Sequence, residues 1–96
     1  MAHPSGTVTF LFTDIEGSTK LAQSLGEKWE RFRARHHEIL KFATDANSGY
    51  VFQIIGDAFC AAFPKSGSAL KAATQAQQKL KKKYPPYYWG GFVLVH

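Results

Sequence analysis

The sequence of 96 residues lacks cysteine almost entirely and has no long apolar run. Its single cysteine, Cys60, excludes an internal disulfide and any zinc site built from several thiolates. The apolar runs, at residues 10–12, 58–63 and 92–95, fall far short of the roughly 20 residues that span a bilayer. The N-terminus shows no cationic segment followed by an apolar one, as a secretory signal would. We therefore expect a cytoplasmic location and no membrane segment.

Acidic residues are also scarce, with seven against twelve lysines and arginines, which gives a net charge of +5. Most of the excess comes from Lys79, Lys81, Lys82 and Lys83, at the predicted end of a helix. Cations there complement the helix dipole and face water, so we expect no nucleic-acid partner. Hydrophobic residues make up 45% and aromatic residues 15%, which is enough for a packed core and excludes a disordered chain.

The order of predicted elements indicates an α+β fold. A β-branched and aromatic strand at residues 7–13 is followed by a short helix from near Lys20 and a longer amphipathic helix from Glu27. Strands at residues 50–55 and 58–63 flank the turn Gly56-Asp57. A helix capped by Ser66 or Ser68 precedes a last strand at residues 92–96. The order predicts a ferredoxin-like sandwich (β-αα-β-β-α-β), whose antiparallel sheet carries its helices on one face. The predicted apolar stripe of the third helix consists of Ala69, Leu70, Ala73, Ala76, Gln77 and Leu80.

Two acidic residues lie in turns at the ends of predicted strands: Asp14 follows the first strand, and Asp57 lies at the tip of the predicted hairpin. In such a sheet these strands are neighbours. Both carboxylates would then lie at one edge of the sheet, where oxygen ligands suit Mg²⁺ or Mn²⁺. The segment Gly17-Ser18-Thr19 leads into a helix, whose free N–H groups favour phosphate oxygens. The spacing alone is more typical of a helix cap and a hairpin-turn residue without catalytic function.

Two segments resemble the catalytic domains of class III adenylate and guanylate cyclases. They read Thr-Val-Thr-Phe-Leu-Phe-Thr-Asp-Ile-Glu-Gly-Ser-Thr at residues 7–19 and Gly-Tyr-Val-Phe-Gln-Ile-Ile-Gly-Asp-Ala-Phe-Cys-Ala-Ala-Phe at residues 49–63. The likeness is strongest over residues 6–80 and includes His37 and Gln77. It implies that residues 6–96 are the N-terminal half of a cyclase domain, with a truncated nucleotide cyclase fold.

The resemblance implies a site and a reaction. Asp14 and Asp57 would bridge two Mg²⁺ or Mn²⁺ ions, with the carbonyl group of Ile15 as a further ligand. Gly17, Ser18 and Thr19 would contact the phosphates of ATP or GTP. In this family the ribose 3′-hydroxyl attacks the α-phosphorus, expels pyrophosphate and yields a 3′,5′-cyclic nucleotide for signalling. Members act as dimers, so we expect a homodimer or pairing with another cyclase domain.

The chain also departs from the family pattern. Gln53 stands where adenylate cyclases commonly carry lysine and guanylate cyclases glutamate; its amide both donates and accepts, so it either reads both purines or is an ordinary polar strand residue. The Asn and Arg that stabilise the family's transition state have no counterpart in residues 84–96. A noncatalytic dimerisation or regulatory module derived from a cyclase is therefore an alternative. An RNA-recognition module shares the element order, but the acid of Gly56-Asp57 replaces its usual basic residue.

Overall fold

A computed structural model describes residues 8–15, 18–84 and 90–95 of the chain. In the described residues a single 3₁₀ turn, Gly26–Lys28, joins the first two helices. The strands and α-helices, in chain order, are β1 Thr9–Asp14, α1 Ser18–Leu25, α2 Trp29–Ala46, β2 Tyr50–Ile55, β3 Ala58–Phe63, α3 Ser66–Lys83 and β4 Gly91–Val95.

The four strands form one antiparallel sheet in the order β2-β3-β1-β4. Helices α2 and α3 pack against each other and against the same face of this sheet. The opposite face carries exposed apolar side chains, among them Phe12, Phe52 and Val93. The α+β ferredoxin-like arrangement predicted from the sequence is confirmed, with the sheet antiparallel and helices on one face.

The core lies between the sheet and helices α2 and α3. Leu11, Phe59 and Phe63 point from the sheet into this layer and are almost completely buried. Because α3 presents mainly alanines to the sheet, its backbone can approach closely, and the large side chains of the strands fill the space. A second cluster, in which Leu21 of α1 and Phe32 of α2 pack on Ile15, fixes the segment that follows β1.

The third helix differs from its prediction in two ways. Ser66 is already the first helical residue, and Lys65 precedes it without a side-chain cap, so capping by Ser66 or Ser68 was wrong. Leu70 is 58% exposed, whereas Ala72, which the predicted stripe omitted, is fully buried. The buried face follows the alanines because they allow the closest contact with the sheet, and Leu70 and Gln77 lie beside that face.

Smaller differences concern the ends of other elements. Strand β1 extends through Asp14, and α1 begins at Ser18, two residues before the predicted start near Lys20. The predicted strand residues Thr7 and His96 lie outside the described residues. Within the described ranges, the helices are all too short or too polar to cross a bilayer.

Candidate metal centre

The alternation of side chains along β1 determines the face of the sheet from which Asp14 projects. Thr9, Leu11 and Thr13 are buried on the helix side, whereas Phe12 and Asp14 are exposed on the opposite face. Successive side chains of a strand point to opposite faces, so a carboxylate two residues after Phe12 shares its face. As the last residue of β1, Asp14 therefore projects from the open face of the sheet at its edge.

Asp57 lies at the tip of the hairpin that joins β2 and β3. Ile55 pairs with Ala58, which leaves Gly56 and Asp57 as a two-residue loop. Gly56 has φ +58°, while Asp57 stays in the ordinary negative-φ region. This sign pattern is that of a type II′ turn, which places glycine first because other residues are strained there. The Gly-Asp sequence thus fixes where the second carboxylate stands.

The pairing of β1 with β3 brings the two aspartates together. Thr13 pairs with Phe59, so Asp14 lies beside the start of β3 and the Asp57 turn. The carboxyl groups of Asp14 and Asp57 interact with each other through a hydrogen bond and through their charges. Partial desolvation, followed by the hydrogen bond and the charge repulsion from Asp57, raises the pKa of Asp14 above its ordinary value. A bound cation would relieve the repulsion between these two neighbouring carboxylates.

The donor set fits a hard divalent cation. Within residues 8–15, 18–84 and 90–95 there is no cluster of three or more His, Cys, Asp or Glu side chains. Sites of zinc or softer metals usually need such a cluster. Mg²⁺, in contrast, is typically held by one or two carboxylates together with water and the phosphates of the substrate. The Asp14 and Asp57 pair matches this requirement for two carboxylates.

The backbone beside Asp14 is held from two sides. The Ile15 side chain is 2% exposed and packs on Leu21 and Phe32, while its N–H donates a hydrogen bond to the Asp14 carboxylate. Gly90, at φ +80°, passes so close to this segment that a Cβ there would collide with the carbonyl oxygen of Asp14. The segment that carries the proposed carbonyl ligand is therefore rigid.

The predicted phosphate-binding segment is described only in part. Gly17 lies outside the described residues. Ser18 and Thr19 are the first two residues of α1, so their N–H groups have no acceptor within that helix. The start of α1 follows Asp14 by four residues, and α1 is held there by Leu21 in the cluster around Ile15. Phosphate binding by these residues stays a prediction.

An irregularity in β2 turns Gln53 toward the open face. Val51 pairs with Ala61 and Gln53 with Cys60, so two residues of β2 oppose one of β3. Such a bulge shifts the alternation of side chains, and it places Gln53 on the face of its partner Cys60. Cys60 in turn pairs with Phe12, two residues before Asp14. Gln53 therefore shares the face from which Asp14 projects.

His37 is a neighbour of the site to which the sequence gave no role. It lies on α2, and its ring nitrogen Nε2 is 3.4 Å from the carbonyl oxygen of Asp57. The ring also packs beside Phe59, with the ring centres 6.1 Å apart. The sequence signal at His37 was its inclusion in the family likeness, which assigned it no role. The contact ties the hairpin turn to the rigid helix.

We expect His37→Ala to weaken Mn²⁺ binding by about tenfold, since removing a group that hydrogen-bonds to a metal-binding residue commonly lowers metal affinity by 10- to 100-fold. His37→Gln should recover most of that affinity, because its amide nitrogen can reach the Asp57 carbonyl group. The measurement is Mn²⁺ titration followed by electron paramagnetic resonance, with thermal unfolding recorded in parallel. Equal Mn²⁺ affinity in all three proteins would show that the contact does not position the turn.

Comparison with known proteins identifies the family of this chain. Residues 1–83 match the family described as adenylate and guanylate cyclase catalytic domain. A receptor-type adenylate cyclase B of Leishmania donovani is 36% identical over 83 residues, which is 86% of this chain and 6% of that protein. The chain therefore spans only a small part of this relative.

Solved structures share the fold. A bacterial light-regulated adenylyl cyclase superposes with a TM-score of 0.81 at 22% identity, over 91% of this chain and 51% of the other. An adenylate cyclase of Trypanosoma brucei, solved in its monomeric state, gives a TM-score of 0.76 at 29% identity. This second match covers 83% of this chain and 35% of the other.

Proposed function

Because this chain belongs to the adenylate and guanylate cyclase catalytic domain family, we propose that it supplies the metal- and phosphate-binding half of a nucleotide cyclase site. The proposed domain occupies residues 6–96, and its substrate is ATP or GTP. The observation that carries the proposal is the contact between the carboxyl groups of Asp14 and Asp57. Neither helix capping nor turn formation requires these two groups to meet.

Each residue has a proposed role. Asp14 and Asp57 hold two Mg²⁺ or Mn²⁺ ions, with the carbonyl group of Ile15 as a further ligand. When bound, the ions lower the pKa of the attacking hydroxyl group and neutralise charge on the phosphates. Gly17, Ser18 and Thr19 orient the phosphates through N–H groups at the start of α1. His37 holds the turn that carries Asp57.

Base recognition is the proposed role of Gln53. The bulge in β2 supports this role, since it turns Gln53 to the face of Asp14 and leaves it exposed. A glutamine amide has both a donor and an acceptor, so it can pair with the edge of adenine or of guanine. We therefore propose weak discrimination between ATP and GTP.

The open face of the sheet favours pairing with a second cyclase domain, either another copy or a different chain. Phe10 stacks near Phe12 and meets Phe52 edge-on, and Phe12 and Phe52 are 37% and 41% exposed. A contiguous exposed apolar patch is typical of a protein interface. The same feature also supports the second candidate function, a noncatalytic module that pairs with a cyclase without binding nucleotide.

Calorimetric titration with non-hydrolysable analogues of ATP and GTP separates the two functions. The first predicts binding in the presence of Mn²⁺ and none in EDTA, with the two nucleotides within about tenfold of each other. The second predicts no nucleotide binding, together with association with a complete cyclase domain. Binding that persists undiminished in EDTA would contradict the metal site.

A further inference from the structure

Helices α2 and α3 form a groove on the surface that faces away from the sheet. Its volume is 710 Å³, and it lies apart from the aspartate pair. The floor is apolar and includes Ile39 and Ala43 of α2, both nearly buried. Phe42 stands beside it with 72% of its surface exposed, an unusual position for an aromatic side chain with no role in the core.

The α3 wall of the groove is positively charged. Lys79, Lys82 and Lys83 line it, at a spacing that places all three on one side of the helix. The Lys79 ammonium group lies 6.0 Å from the centre of the Phe42 ring. In the described part of the chain, the ion pairs involve other cations, so these three lysines have no carboxylate partner.

The α2 wall is electrically neutral. Arg35 and Glu38 both line the groove, and they form an ion pair at 3.0 Å. The net charge of the groove therefore comes from the three lysines of α3. The apolar floor and the cationic wall run side by side along the same groove.

We propose that this groove binds an acidic amphipathic helix of a partner protein. The groove follows α2 from Arg35 to Ala46, which at about 1.5 Å per residue is roughly 16 Å, or three helical turns. A helix of that length can place apolar residues over Phe42 and Ile39, while acidic residues one turn apart face the lysines. Its charge is complementary to the groove, whereas a second copy of this chain, at +5, is repelled from it.

The apolar floor of the groove favours an anionic partner that also has an apolar surface. An RNA strand can satisfy the lysines and stack a base on the exposed Phe42 ring, but it places nothing apolar on the floor at Ile39 and Ala43. A membrane surface is too flat to reach the floor of a groove between two helices, although the exposed Phe42 alone could enter it. An occupant with one apolar and one acidic face matches both the apolar floor and the lysine wall of the groove.

The test is fluorescence anisotropy with the full chain and a labelled 16-residue helical peptide that carries leucines on one face and glutamates on the other. We expect binding that weakens as salt rises, and none for the same peptide with lysine in place of glutamate. The double variant Lys79→Glu/Lys82→Glu should lose about tenfold or more in affinity, and Phe42→Ser about fivefold. Lys71→Glu makes the same charge change on an exposed residue of α3 outside the groove and should bind within about twofold of the parent.

Equal affinity in the double variant and the parent would overturn the proposal, as would equal binding of the acidic and basic peptides. Tighter binding to poly(U) RNA or to vesicles containing phosphatidylserine, lost in the double variant, would assign the groove to those partners instead. Circular dichroism of each variant establishes that it is folded. The measurement needs neither metal nor nucleotide, so its outcome is independent of the proposed cyclase site.

Discussion

Replacing Asp57 by asparagine is expected to abolish Mn²⁺-dependent nucleotide binding, with a loss of at least about 100-fold in affinity. The substitution keeps the size of the side chain but removes one of the two charges that we propose hold the cations. Removing a group that only positions a metal ligand commonly lowers metal affinity by 10- to 100-fold. Removing the ligand itself should therefore lower the affinity more. Calorimetric titration with Mn²⁺ and an ATP analogue measures the effect.

Asp45→Asn is the matched control. Asp45 lies on the exposed side of α2 and pairs with Lys41 at 2.9 Å, so the same chemical change occurs at a surface ion pair. Such pairs contribute little, so affinity should stay within about twofold of the parent. The free energy of unfolding of metal-free Asp57→Asn should match or exceed that of the parent, because the repulsion from Asp14 is removed. Unchanged nucleotide affinity in Asp57→Asn would contradict its role as a ligand.

Gly90→Ala is expected to lower the free energy of unfolding by about 2 to 4 kcal/mol, and to weaken Mn²⁺ binding as well. Gly90 has φ +80°, a conformation that strains any residue with a Cβ. The added carbon would also meet the Asp14 carbonyl oxygen, so either β4 or the metal-binding segment must move. Urea unfolding and Mn²⁺ titration of the same samples measure both effects.

Gly67→Ala is the matched comparison, because its expected effect on stability has the opposite sign. Gly67 lies in the first turn of α3, has an ordinary φ, and has open space where a Cβ would be added. Alanine in a helix is favoured over glycine by up to about 1 kcal/mol, so this variant should be as stable as the parent or more stable. A Gly90→Ala protein that unfolds at the same urea concentration as Gly67→Ala would show that β4 does not constrain Asp14.

The fold could be predicted because its local signals agree with one another. The apolar spacing of α2, from Phe32 to Ala43, has the helical period, and Gly56-Asp57 between two mainly apolar segments indicates a hairpin. The helix ends were less predictable, since Ser66 and Ser68 are common caps and α3 uses neither. Leu70 was assigned to the apolar stripe by its hydrophobicity and helical spacing, whereas the buried face of α3 consists mainly of alanines, which allow close packing on the sheet.

The site could be predicted in part. Sequence placed Asp14 and Asp57 at one edge of the sheet, and the register of β1 with β3 brings them together. The orientation of Gln53 could not be derived, because it depends on a bulge that no residue type marks. The contact of His37 with the Asp57 carbonyl group depends on how α2 crosses the hairpin, and helical spacing contains no information on that crossing.

Anomalous diffraction from crystals grown with Mn²⁺ and a non-hydrolysable ATP analogue shows whether Asp14 and Asp57 hold the cations. We expect two peaks about 3.5 to 4 Å apart, each within coordination distance of carboxylate oxygens of both Asp14 and Asp57. Manganese peaks at other positions, or nucleotide bound while the two carboxyl groups point away from each other, would contradict it.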